Sequence, residues 1–120
     1  MESEQTLRAD YPAMKPHAKV WLEINDDYVF GLGISEILKA VEATGSIKDA
    51  AEQVGKSYRH VWSRIKQAEN ALGQTLVETQ QGGGPVRRSA CTPEAHRLIA
   101  MFEKLRAKVF QATDHEFNSL

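Results

Sequence analysis

The chain is predicted to be mostly α-helical with a small amount of β structure, on three observations. Apolar and polar residues alternate in KVWLEIN and recur in YVFGLGIS, marking two short strands ahead of any helix. Apolar residues then return at three- and four-residue steps in four separate runs. Gly45, Gly55 and Gly73 close the first three runs, where a helix C-terminus favours glycine.

Residues 1–17 are polar and carry Pro12 and Pro16, so they are expected to form a flexible arm. Residues 18–92 are expected to hold the main domain, beginning with a hairpin. Val20, Leu22 and Ile24 take one face of its first strand and Lys19, Trp21 and Glu23 the other, with Asp26-Asp27 as the break. Two strands alone are marginal, so their apolar face must pack on the helices or on another copy of the chain.

Ile34, Ile37, Leu38, Val41 and Ala43 follow at helical spacing, with Ser35 as the expected cap of this first helix. Ser46 and Asp49 have capping-box spacing ahead of Ile47, Ala50, Ala51 and Val54. Ser57 can cap a third helix, in which Tyr58, Val61, Trp62, Ile65, Ala68 and Leu72 share one side. Two short helices joined through Gly55-Lys56 meet at roughly 90 to 120°, the geometry of a helix-turn-helix. TLVETQQ and VRRSACT then read as short strands around a tip at Gly82-Gly83-Gly84-Pro85, together a wing. Thr92-Pro93-Glu94 opens a last helix over residues 93–120, with Ala95, Leu98, Phe102, Leu105, Val109 and Ala112 along a seam. That seam can fold back on its own domain or zip against a second chain. The second is favoured, with Leu98, Phe102, Leu105 and Val109 at the dimer contact, although Ile99 and Phe110 widen the stripe toward packing on the domain. The expected fold is a winged helix-turn-helix preceded by a β-hairpin, with a long C-terminal dimerisation helix.

Composition excludes several function classes. At 120 residues, 42% hydrophobic and 26% charged, one globular domain is the default. The start MESEQTLRAD is polar and no apolar run approaches the ~18 residues of a membrane span, so a cytoplasmic chain without a membrane partner is expected. Cys91 is the single cysteine, leaving no internal disulfide or thiolate-rich zinc site, and it reads as a small half-buried apolar residue. His17, His60, His96 and His115 lack ligand spacing, so neither metal nor cofactor is expected. The glycine run lacks the G-K-[S/T] tail of a nucleotide loop. Paired carboxylates and nucleophile-base spacings are missing too, which argues against an enzyme.

Net charge is only -1, but the signs are segregated. Glu2, Glu4, Asp10, Glu23, Asp26 and Asp27 lead the first segment, whereas Lys56, Arg59, Arg64, Lys66, Arg87 and Arg88 outnumber Glu69 and Glu78 between Gly55 and Ala90. On the outward side of the third helix a wheel groups Arg59, Ser63 and Gln67, with His60 beside them and Arg64 and Lys66 at the margins. Arg can fork onto guanine and Gln onto adenine in a major groove that admits a helix. Lys56 and the helix start at Ser57 would lie near phosphates. Arg87 and Arg88 at the wing would meet phosphates or reach into the minor groove. The alternative is a plain solvated face, and periodicity alone does not separate the two. Trp62 and Tyr58 lie on or beside the apolar stripe and are expected to anchor the helix rather than stack on bases; Tyr58, at the helix start, also stands among the DNA-facing candidates.

The stretch TGSIKDAAEQVGKSYRHVWSRIKQAENALG, especially Ser57-Tyr58-Arg59 followed by Trp62, together with LVETQQGGGPVRRSACTPEA, resembles a known family. From about Lys19 to Leu105 the chain is similar to the amino-terminal DNA-binding domain of ModE-type molybdenum-responsive transcriptional regulators, kin of LysR-type winged helices. The preceding hairpin and Ser-Tyr-Arg-x-x-Trp favour the ModE branch. The resemblance implies a dimer on a pseudo-palindromic site in double-stranded DNA, with Ser57 to Leu72 in the groove. It also implies that the terminal helix and the chain before the first helix contribute to dimerisation. Such regulators often carry β-barrel domains for molybdate or tungstate. Nothing follows Leu120, so a single-domain form or a fragment is expected, its oxyanion response is left open, and no ligand residues carry across. The alternative role is an interaction module that pairs with a full-length regulator and antagonises it.

Overall fold

The computed structural model describes residues 9–81 and 87–120. The glycine-rich tip, the first eight residues and the side chains of Gln81 and Arg87 lie outside the described residues. The elements run β1 (Trp21–Ile24), β2 (Asp27–Gly31), α1 (Leu32–Thr44), α2 (Ile47–Val54), α3 (Tyr58–Leu72), β3 (Val77–Gln81), β4 (Arg87–Cys91) and α4 (Pro93–Asn118). The fold class is the expected one: helices dominate, and β1 with β2 and β3 with β4 form two small antiparallel sheets. Trp21–Phe102 forms one compact unit, and Glu103–Leu120 with the segment up to Val20 forms another.

Asn25 and Asp26 both adopt positive φ, 51° and 68°, as a two-residue type I′ hairpin loop requires. The turn therefore sits one residue earlier than expected, and Asp27 belongs to β2. The expected apolar face of β1 is only partly covered: Val20 and Leu22 are half-buried and Ile24 is 44% exposed. The register shifts between Leu22 and Glu23, which interrupts the alternation. Burial comes instead from β2, through Val29 and Phe30.

β2 leads straight into α1, so this helix starts at Leu32 with Gly31 at its cap position and no capping side chain. Ser35 is not the cap; it lies inside the helix and is buried. A Cβ at Gly31 would meet the end of the Tyr28 side chain, which would have to swing aside. Ile34, Ile37, Leu38, Ala40 and Val41 form the buried side of α1, while Ala43 is exposed.

The caps of the next two helices match expectation. The Ser46 hydroxyl accepts from the Asp49 amide at 2.9 Å and the Ser57 hydroxyl from the His60 amide at 3.1 Å. Ala50 and Ala51 are buried, and α2 packs on both α1 and α3.

Thr92 joins the wing to α4. Its amide donates to the Leu76 carbonyl at 3.0 Å. Its hydroxyl donates to the Thr75 carbonyl at 2.7 Å and accepts from the Ala95 amide at 3.2 Å. At the other end of α1, the Ser89 amide donates to the Gly45 carbonyl at 2.7 Å.

Ala95, Ile99 and Phe102 are the buried residues of α4, and the Phe102 ring meets Phe30 edge-on with centroids 5.5 Å apart. Phe102 is therefore closed off within its own chain and is not available as a dimer contact; it holds the helix to the hairpin strand. Leu98 is half-buried. In the second unit Leu105 is 38% exposed and Val109 half-buried. Pro16 and His17 of the expected arm, with the adjoining Ala18, line a cleft of about 110 Å³ with Phe110, Thr113 and Asp114.

Thr92→Val keeps the shape and removes both hydroxyl bonds. It is expected to lower stability by about 1 to 2 kcal/mol in urea unfolding. An unchanged midpoint would contradict the joint described above.

Candidate nucleic-acid interface

The candidate surface follows from how little of α3 is buried. Val61, Ile65 and Ala68 are at most 5% exposed. At 100° per residue they span an arc of roughly 60°. Arg59, His60, Ser63 and Gln67 lie round the far side and are all exposed.

Tyr58 and Trp62 depart from expectation: they are 54% and 44% exposed, and neither is a buried anchor. Trp62 sits about 100° round from Val61, beyond the packed arc. Tyr58 opens the helix, one turn ahead of the packed part. Sequence spacing marks an apolar side but not the width that neighbours will cover.

The other candidates divide by neighbour. Lys56 and Ser57 occupy the exposed turn between α2 and α3, and the Ser57 hydroxyl is engaged as the cap. Lys56, His60 and Arg64 come together on one cleft of about 310 Å³, with Gly33, Glu36, Ile37 and Val54 as its remaining lining. The Arg64 guanidinium also lies 5.1 Å from the centre of the Tyr28 ring, which ties α3 to the hairpin. Lys66 faces Glu69 at 3.2 Å and lies 5.8 Å from the Trp62 ring centre. Arg88 is exposed on β4, its guanidinium beside Gly45. The Arg87 side chain lies outside the described residues.

Two positioning residues escaped the sequence reading. Glu69 accepts from the amides of Leu76 and Val77 at 2.8 and 3.1 Å, clamping the start of β3 to the end of α3. Its only sequence signal is a carboxylate in a basic segment. Tyr28, under Arg64, had none.

Cys91 is 9% exposed, and its thiol donates to the Leu38 carbonyl at 3.2 Å. Burial pushes this thiol up to about 11, and the nearby Glu42 carboxylate adds to the rise. Glu42 accepts from the Cys91 amide at 3.4 Å and pairs with His96 at 3.3 Å. Among the described residues no group of three or more His, Cys, Asp or Glu is placed to hold a metal, and no helix is long and apolar enough to cross a membrane.

The family described as "Bacterial regulatory helix-turn-helix protein, lysR family" matches residues 35–96. The "Molybdenum transport protein ModE" of Herbaspirillum seropedicae is 35% identical over 72 residues, 60% of this chain and 27% of that protein. The "Molybdenum-pterin-binding protein MopB" of Rhodobacter capsulatus is 34% identical over 73 residues, 61% of this chain and 27% of that protein. The chain thus spans about a quarter of the length of these relatives. Among solved structures, the "BenM_DBD/benA site 1 DNA Complex" is 25% identical, with a TM-score of 0.49, covering 67% of this chain and 84% of that one.

Because the Cys91 thiol loses its proton less readily folded than unfolded, its contribution to stability is full below its ordinary value of 9.0 and fades as pH rises through about 11. At pH 8 the native thiol is expected to react with Ellman's reagent at least about tenfold more slowly than the urea-unfolded chain. Equal rates would contradict the burial.

Proposed function

The chain belongs to the lysR family of bacterial regulatory helix-turn-helix proteins, and from that premise we propose a sequence-reading, dimeric transcriptional regulator of the ModE kind that inserts α3 into the major groove of double-stranded DNA. One observation carries this reading: the hydrogen-bonding face of α3, Arg59, His60, Ser63 and Gln67, is exposed opposite the buried arc. Arg59 is suited to guanine and Gln67 to adenine, because their paired polar groups match those bases' major-groove edges. Lys56 and His60, in the cleft beside the turn, suit backbone phosphate, as do the exposed amides at the start of α3. Arg88 supplies a phosphate contact from the wing. Arg64, resting on Tyr28, does more to fix the helix than to read sequence.

The dimer in this proposal forms along α4, with Leu105 as the exposed apolar contact and Val109 beside it. Its two copies of α3 would reach half-sites about 34 Å apart, one turn of duplex. The site of action is then the bacterial cytoplasm. The molybdenum named in the relatives belongs to proteins of which this chain matches one part, and no described residue is assigned to an oxyanion.

Selection from a random duplex pool, followed by anisotropy at several salt concentrations, tests the reading. Arg59→Ala is expected to lose about 1 to 3 kcal/mol on the selected duplex and to relax one base position. Arg88→Ala should weaken all duplexes alike and reduce the salt slope by about one. Identical losses and slopes for the two variants would refute the division of labour, and no duplex binding at low salt would favour the interaction-module role. For the dimer, Leu105→Lys is expected to raise the sedimentation dissociation constant about tenfold or more while leaving the far-ultraviolet circular dichroism unchanged. A wild-type monomer at micromolar concentration would defeat the arrangement.

A further inference from the structure

Two large rings on α3 stay about half exposed. Tyr58 and Trp62 are 54% and 44% exposed and stand one helical turn apart on the same side, next to the polar face. Isolated exposed apolar side chains are ordinary, but these two are paired and bordered by cations. Arg59 follows Tyr58 directly, and the Lys66 ammonium lies 5.8 Å from the Trp62 ring centre. An apolar pair within a basic border suits a partner that is anionic overall yet carries apolar groups at its surface.

We propose that Tyr58 and Trp62 form an apolar reading edge on α3 that contacts thymine 5-methyl groups in the major groove. The proposal rests on the DNA-binding reading above and adds a chemical preference to it. Inside an intact duplex the base faces are stacked on one another, so the rings cannot stack there without opening the helix. The apolar group that base pairs display at the major-groove edge is the thymine methyl, whereas the other edge groups are hydrogen-bond donors or acceptors. Arg59, Ser63 and Gln67 suit those polar groups, and the two rings lie to one side of them. The resulting surface distinguishes a methyl-bearing T from a C at the same step, a distinction that phosphate contacts do not make. Lys66, held between Glu69 and the Trp62 ring, borders the edge with positive charge.

The test alters the DNA. In a duplex selected with the wild-type chain, each thymine is replaced singly by deoxyuridine, which removes the methyl and keeps the pairing. Dissociation constants are measured for the wild type, Tyr58→Ala and Trp62→Ala. At one or more positions the wild type is expected to lose about fourfold in affinity, the worth of one buried methyl-sized group. At those positions one of the two variants should be indifferent to the methyl. Wild-type indifference to every replacement overturns the proposal, as does methyl sensitivity that survives in both variants. A uniform loss in Trp62→Ala on all duplexes, with a lower salt slope, also overturns it and assigns the ring to the phosphates. Failure to select any duplex refutes the DNA-binding reading itself and the proposal with it; a selected duplex that ignores its methyls overturns the proposal alone.

Discussion

The arrangement depends on a narrow apolar arc. Val61, Ile65 and Ala68 are the buried residues of α3, a strip of roughly 60° on a helix whose buried stripe in a globular protein is usually 100° or wider. Arg64, Glu69 and Leu72 beside the strip are only half-buried, and the far side of the helix is exposed. Ala50 and Ala51 on α2, both buried and both small, let that helix approach α3 closely. The same residues thus hold α3 in place and leave its far side open.

So thin a strip needs other fastenings, and they are polar. The Glu69 carboxylate receives two amides from the start of β3, and Arg64 lies over Tyr28 of the hairpin. Thr92 joins the wing to α4, while Glu42 links α1 to Cys91 and His96. Hydrogen bonds are directional, so they set the angle of an element where apolar contact sets only its proximity. Charge is affected too: Glu69 engages Lys66, so that ammonium is less available to a polyanion than its place on the wheel implies.

Much of this was legible because it is local. Ser46 and Ser57 cap the helices they precede, Gly45, Gly55 and Gly73 end theirs, and both strands of the wing fall within the two runs that flank the glycine-rich tip. Those signals act over a few residues of chain. The misreadings needed information from elsewhere in the molecule. Ser35 resembles a cap only if α1 starts after a loop, and β2 instead runs into it without a break. Tyr58 and Trp62 look like core residues until the width of the neighbouring surface is known. Phe102 has the spacing of a dimer seam, yet Phe30, more than seventy residues earlier, already closes over it. Glu69 binds amides seven and eight positions downstream, past a helix end that no periodicity bridges.

The three glycine stops have a thermodynamic consequence. Gly45, Gly55 and Gly73 all take left-handed backbone angles, with φ of 81°, 71° and 68°. Each sharp corner of the three-helix unit is therefore written into the backbone before any partner arrives. A unit whose corners are already set has little chain entropy to surrender on docking. Its association should behave as rigid-body contact, with a heat-capacity change that reflects the area covered and no added contribution from folding.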